Sequence, residues 1–250
     1  MSVMSSASTR RLDVGQMLQD LFNVFSRNLG PLAMLGVLLT GIPTALLNLS
    51  NIYAEQYPAV IPLGLLGLFA AFVGRPILYG AVIFMTVRDL DGEPASLPEC
   101  LAAGRRRWGS LLGLMIVSGL AIGVGIVLLI VPGVYLALRW AVAGPSMVLS
   151  GRGISDSMER SATLTEGRRW AMFLVYAVVY VMLIVLAVLV GLVGFGLNSV
   201  APKYLVAIVL APLPTVGLDL TFAVVAAVLY RRLRGDAEGP PAAVLSEVFA

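Results

Sequence analysis

Between Pro31 and Tyr230 the chain is a succession of apolar runs, each roughly 20 residues long, and nearly every charge falls between them. A run of that length is what a helix needs to cross about 30 Å of hydrocarbon. Lipid offers no partner to a bare backbone amide, so such runs must be helical. Composition agrees: of 250 residues, 59% are hydrophobic and 12% charged, half the roughly 25% of a soluble domain. The expected fold is an all-α membrane protein with six transmembrane helices. The spans fall at 31–49, 59–87, 111–131, 134–149, 172–197 and 204–230. The second is long enough to tilt or break near Gly74-Arg75-Pro76, and a tight Pro132-Gly133 turn joins the third to the fourth. One membrane domain takes up 1–234, followed by a short tail at 235–250.

The flanks set the orientation. Arg10, Arg11 and Arg27 precede the first span, and Arg88 with Arg105, Arg106 and Arg107 separate the second from the third. Arg152, Arg160, Arg168 and Arg169 separate the fourth from the fifth, and Arg231, Arg232 and Arg234 follow the sixth. The opposite side holds Lys203 and Glu55. Arginine excess marks the cytoplasmic face, so both termini are expected there, in a bacterial inner membrane. The net charge of +3 follows from this flanking pattern, and no nucleic-acid partner is expected. Met1 to Arg11 has no apolar core or cleavage signature, so no secretory signal is expected.

The arginine clusters belong to amphipathic segments. Leu12, Met17, Leu18, Leu21, Phe22 and Phe25 recur at helical spacing. Ser96-Leu97-Pro98-Glu99 reads as a capping box with proline in the first turn. Ser155 and Asp156 precede Met158, Ala162 and Leu164. Three interfacial helices are expected, two of them ending in matching basic-aromatic junctions, Arg105-Arg106-Arg107-Trp108 and Arg168-Arg169-Trp170. Both residue types favour the headgroup level. The order of interfacial helix, junction and hairpin predicts a three-unit repeat.

Two arginines inside the apolar runs extend that match. Arg75 has glycine at +5 (Gly80) and arginine at +13 (Arg88); Arg139 has Gly144 and Arg152 at the same offsets. The third unit carries Asp219 instead. Counted from Arg88 and Arg152, both arginines lie about 20 Å along a helix, and Asp219 lies about 18 Å before Arg231, which allows all three to share one depth. An ionisable residue inside a span is costly and points first to function. One reading is an Arg–Asp pair that locks the second, fourth and sixth spans together. A second gives the unbalanced arginine to an anionic headgroup or solute, since guanidinium grips phosphate bidentately. A third lets Arg139 snorkel to an interface.

The segment Leu128-Leu129-Ile130-Val131-Pro132-Gly133-Val134-Tyr135-Leu136-Ala137-Leu138-Arg139 resembles a known bacterial family. It looks like the membrane domain associated with glycerophosphoryl diester phosphodiesterases and related uncharacterised six-span proteins. The resemblance continues through Ala143-Gly144-Pro145, Gly151 to Leu164, Thr165-Glu166-Gly167-Arg168 and Leu229-Tyr230-Arg231-Arg232-Leu233-Arg234. It implies a six-span fold and a loose tie to phospholipid metabolism. Phosphodiesterase activity is not carried over, because the catalytic domain that accompanies some members is missing from this sequence, which also has no histidine.

Chemistry-bearing patterns are sparse. The single cysteine, Cys100, and the lack of histidine leave no metal cluster to expect, and no cofactor. No G-x-S-x-G motif or phosphate loop occurs. Asp156, Glu159 and Glu166 read as a solvated helix face. The expected function is therefore non-enzymatic: binding or moving an anionic lipid or amphiphile through Arg75, Arg139 and Asp219. The competing expectation is a structural or regulatory membrane protein whose cytoplasmic helices bind a protein partner.

Overall fold

The computed structural model describes residues 14–197 and 202–238. Among the described residues every element is helical. In chain order these are α1 (Val14–Gly36), a π-helical turn (Val37–Gly41), α2 (Ile42–Tyr53), a 3₁₀ turn (Pro58–Val60) and α3 (Ile61–Leu90). Then come α4 (Leu97–Arg106), α5 (Trp108–Leu128), α6 (Ile130–Arg139), α7 (Ala143–Ser150), α8 (Ile154–Leu164) and α9 (Arg169–Leu197). The short α10 (Lys203–Leu205), a second π-helical turn (Val206–Leu210) and α11 (Leu213–Glu238) complete the described chain. α11 runs into the expected tail; the N-terminal Arg10, Arg11 and Leu12, and residues 239–250, lie outside the described residues.

Among the described residues five stretches are long and apolar enough to cross a membrane: Val14–Tyr53, Pro58–Leu90, Trp108–Leu128, Arg169–Leu197 and Ile208–Ala237. The fourth expected span is not one of them. It is two short helices, α6 and α7, separated by a turn at Trp140 to Val142. Pro145 supplies the reason: it has no N–H for the Ala141 carbonyl and its ring crowds that position. Pro76 acts differently. α3 passes through it as one helix, so of the tilt or break that its length allowed near Gly74-Arg75-Pro76, the break does not occur. Pro43 and Pro212 each follow a π-helical turn, where the ladder widens before the missing donor.

The helices form two zones. In one, α3 beyond Pro76, α7 and α11 pack against one another and are wrapped by the first half of α1, by α4 and by α8. Leu78, Ala81, Val82, Val224, Val228 and Leu229 are buried here, and Met17, Leu21 and Val24 of α1 close over them. The outward faces of the wrapping helices are mostly polar: Gln16, Gln19 and Asn23 on α1, where Phe22 is also exposed, Glu99, Arg105 and Arg106 on α4, Asp156 and Glu159 on α8. In the other zone most exposed side chains are large and apolar, from Leu29 to Phe72, Ile116 to Tyr135 and Trp170 to Leu213, with polar exceptions such as Asn51, Glu55 and Gln56 near the α2–α3 connection. Membrane lipid is the medium that such a surface fits.

Close approach sets the fit of the wrapping helices. A Cβ on Gly104 would stand 2.3 Å from the Ile77 carbonyl oxygen, so α4 can lie against α3 only with glycine there. α4 begins with the expected capping box at Ser96. The Ser96 N–H donates to Glu99 Oε2 at 2.9 Å. That bond, with the Ser96 hydroxyl beside it, holds the Glu99 carboxyl below its usual range.

Candidate functional site

Arg75 and Asp219 meet. Arg75 Nε stands 3.4 Å from Asp219 Oδ2, tying α3 to α11, with the two side chains 50% and 28% exposed. The ion pair expected from the sequence is thus present, but half open. Asp219 Oδ2 is itself covered and accepts no hydrogen bond, so its tie to Arg75 is ionic.

Arg139 is elsewhere. It ends α6 with its side chain exposed, and its guanidinium has no acid or hydrogen-bond partner among the described residues. Its backbone, by contrast, is held firmly. Ser161 Oγ donates to the Arg139 carbonyl at 2.8 Å, and Thr165 Oγ1 donates to it at 3.4 Å. Ser161 Oγ also accepts from the Val142 N–H at 3.2 Å. The last turn of α8 therefore satisfies both sides of the break that Pro145 opens, and this fixes where Arg139 points from.

The basic-aromatic junctions lie beside these arginines. The Trp108 indole N–H donates to the Val73 carbonyl at 3.2 Å, two residues before Arg75. Arg169 Nη1 donates to Tyr135 Oη at 2.6 Å, and its guanidinium lies 4.7 Å from the Tyr135 ring, one turn before Arg139. Trp170 is exposed and stacks on Phe173, with ring centroids 5.4 Å apart. Arg168 pairs with Asp236 at 2.5 Å. Arg105, Arg106 and Arg107 have no acid partner among the described residues; the Arg107 guanidinium rests against Gly151, at φ +68 the left-handed end of α7.

This changes the depth assigned to the charges. Counting along α3 from Arg88 puts Arg75 about 20 Å into the bilayer. Yet α4, with Glu99, Arg105 and Arg106 exposed, runs alongside Ile77 to Ala81. α8, with Asp156, Glu159 and Thr163 exposed, ends at the Arg139 carbonyl. Charged faces of that kind do not sit in hydrocarbon. Arg75 and Arg139 therefore lie where the polar zone meets the apolar one, and the helix between Arg75 and Arg88 is wrapped by protein. Counting residues from Arg88 and Arg152 takes the far end of each helix for the water boundary and does not see this wrapping.

Ser161 and Thr165 were not visible as site residues in the sequence. Pro145 four residues after Ala141 was the available signal for a break in need of partners.

Comparison with known proteins places these residues in a family. The chain is 30% identical over 113 residues to a UPF0259 membrane protein of Pectobacterium carotovorum, 45% of each chain. It is 25% identical over 112 residues to one of Photorhabdus laumondii, covering 45% of this chain and 44% of that one. It is 29% identical over 110 residues to one of Sodalis glossinidius, 44% of each. The chain thus spans just under half the length of these relatives. No solved structure matches. None of these relatives is named as a phosphodiesterase or as associated with one. The sequence model of UPF0259, described as an uncharacterised protein family, matches residues 47–215, a stretch that contains Arg75, Arg139 and both junctions and stops short of Asp219. On that match the chain belongs to UPF0259, an uncharacterised family of bacterial membrane proteins.

Proposed function

We propose that this integral membrane protein binds, and by extension moves, an anionic lipid or amphiphile without chemical conversion. Arg139 is the gripping cation, Arg75 is its counterpart held in place by Asp219, and the junction residues Arg105, Arg106, Arg107, Trp108, Arg168, Arg169 and Trp170 sit at the headgroup level. The observation that carries the reading is Arg139 itself: an exposed guanidinium with no protein partner among the described residues, at the end of an apolar helix whose outer surface fits lipid. A phosphate diester is an anion such a group can grip bidentately, as it can a carboxylate. The sequence resemblance to a phosphodiesterase-associated membrane domain agrees with a glycerophospholipid headgroup.

The same reading places the protein in the bacterial inner membrane with the arginine-rich face and both termini in the cytoplasm. It also takes the chain as three related units. α3 packs with α4, α7 with α8, and α11 with the first half of α1. Asn28 (φ −113, ψ 19) and Arg107 (φ −110, ψ 9) make the same backbone turn between a polar-faced helix and an apolar one.

A second reading rests on the Arg75–Asp219 tie between α3 and α11. There the charges lock the bundle, and the exposed basic face of α4 binds a protein partner. One experiment separates the two. Arg75→Gln, Arg139→Gln and Asp219→Asn, singly and as Arg–Asp doubles, are compared for thermal stability in detergent and for retention of phosphatidylglycerol. Asp219→Asn is expected to cost about 1–3 kcal/mol, discounted from a fully buried pair by the open geometry, with part recovered in the Arg75→Gln double. Arg139→Gln is expected to lose lipid retention at unchanged stability. Unchanged retention in Arg139→Gln removes the lipid reading and leaves the structural one.

A further inference from the structure

Every other apolar turn on the side away from the arginines carries polar residues, and the α5–α6 turn does not. The α2–α3 connection contains Glu55 and Gln56. The segment after α9 contains Asn198, Ser199 and Lys203. The α5–α6 turn reads Ile126-Val127-Leu128-Leu129-Ile130-Val131-Pro132-Gly133. Between Leu111 and Leu138 the only polar side chains are Ser118 and Tyr135. Ser118 Oγ donates to the Leu114 carbonyl of its own helix at 2.6 Å, so it presents no free donor to its surroundings.

The tip is also fully uncovered. Val127 is 86% exposed and Val131 78%, with Leu128, Leu129 and Ile130 between them almost as open. The stem is short. Leu111 and Leu114 are buried against Ala143 and Met147, and the exposed apolar surface of α5 starts only at Ile116. From there to Leu128 is about 13 residues, or roughly 20 Å, and α6 returns over roughly 15 Å. The hydrocarbon core is about 30 Å thick. α9, by comparison, exposes apolar side chains from Trp170 to Leu197, which is more than enough to cross.

The geometry points to a re-entrant hairpin: α5 and α6 enter the bilayer from the arginine-rich side, turn within the hydrocarbon at Leu128 to Ile130, and return to the same side. Its partner is the acyl-chain region of the leaflet next to the arginines. The backbone at the tip suits this placement. Leu129 is the one non-helical residue of the turn, and its N–H donates to the Gly125 carbonyl at 3.0 Å. Pro132 brings no N–H to the first turn of α6, so one donor fewer is stranded in lipid. Gly125 and Gly133 let the two helices close: a Cβ on Gly125 would stand 2.9 Å from the Gly133 Cα. The hairpin also reconciles five long apolar stretches with arginine clusters that all fall on one face. If α5 dips and returns, the four remaining stretches form two out-and-back pairs. This inference does not depend on what Arg139 binds.

Single cysteines in a Cys100→Ala background test it, at Gln56, Leu129 and Ser155, in intact spheroplasts and in inverted vesicles. The reagent is a membrane-impermeant maleimide, and only variants that elute as a single species in detergent are scored. Gln56→Cys is expected to label in one preparation and Ser155→Cys in the other. Leu129→Cys is expected to label in neither, at less than about a tenth of either control. A bimane placed at Leu129 is expected to be quenched more by lipids brominated deep in the acyl chain than near the headgroup. Labelling of Leu129→Cys from the Gln56 side means the hairpin crosses, and labelling from the Ser155 side means it lies outside the lipid; either overturns the inference.

Discussion

At the scale of single residues, the chain separates charges that hold the fold from charges left open. Arg27, Arg75, Arg88, Arg168, Arg231 and Arg232 each face an acid, at 2.5 to 3.7 Å. Arg139 and the Arg105–Arg106–Arg107 run face none among the described residues. That division is the basis for assigning binding to the second group. Cys100 illustrates the opposite extreme, a reactive group made inert. It is fully buried on the inner face of α4, and burial first, then the Glu99 charge, pushes its thiol up to about 11. The thiolate is the nucleophile, so at pH 7.5 Cys100 is expected to react with a small maleimide at least about tenfold more slowly than an ordinary thiol of pKa near 8.5, the lower thiolate fraction outweighing the greater nucleophilicity of a more basic thiolate. A time course of thiol titration in detergent, before and after denaturation, checks this. Prompt reaction of the folded protein would mean that α4 leaves α3 readily.

At the scale of elements, the break between α6 and α7 is the feature most dependent on tertiary structure. Ser161 is fully buried and serves both sides of it, as donor to the Arg139 carbonyl and acceptor from the Val142 N–H. Ser161→Ala strands a buried N–H, which is expected to cost about 1–3 kcal/mol. Thr163→Ala is the control: its hydroxyl donates to the Glu159 carbonyl at an exposed site, and its loss is expected to stay within about 0.5 kcal/mol. Thermal melts of the two variants in one detergent decide it, and equal melts would mean that α8 does not hold the break. The break also shows where sequence reading stops. The Ser96 capping box and the Arg75–Asp219 pair were legible, because each rests on local spacing or on a charge with few possible partners. Hydropathy read 134–149 as one span because it counts apolar side chains. It does not see that Pro145 removes a backbone bond which a serine in a later helix replaces. Hydropathy also does not separate the two sources of apolarity along α3 beyond Pro76, which is buried under α4, α7 and α11 as well as being long enough to meet lipid.

At the scale of the whole molecule, the two ends of the described chain close on each other. α11 lies against the first half of α1, with Met17, Leu21 and Val24 in the same buried cluster as Val224, Val228, Leu229 and Leu233. Asp20 accepts from Arg232 Nε at 2.9 Å and from Nη2 at 2.5 Å. In the proposed three-unit scheme this is the joint that completes the ring, since the wrapping helix for α11 comes from the opposite end of the sequence. The scheme predicts that the joint is needed for the fold. Uncovering three large side chains forfeits about 1.5–3 kcal/mol each, a total comparable with the roughly 5–15 kcal/mol that hold a typical domain together. A chain starting at Asn28 is therefore expected to reach the membrane but to aggregate on extraction, because its remaining spans are intact while α11 is bare. Co-expression of residues 1–27 as a separate piece is expected to restore a single species on size exclusion, since the joint is made of side-chain contacts and needs no covalent link. Adding Asp20→Asn to that piece is expected to weaken the rescue only modestly, because a partly exposed ion pair is worth about 1 kcal/mol or less. A chain from Asn28 that is monodisperse on its own would show that the first half of α1 is an appendage and that the fold closes without it.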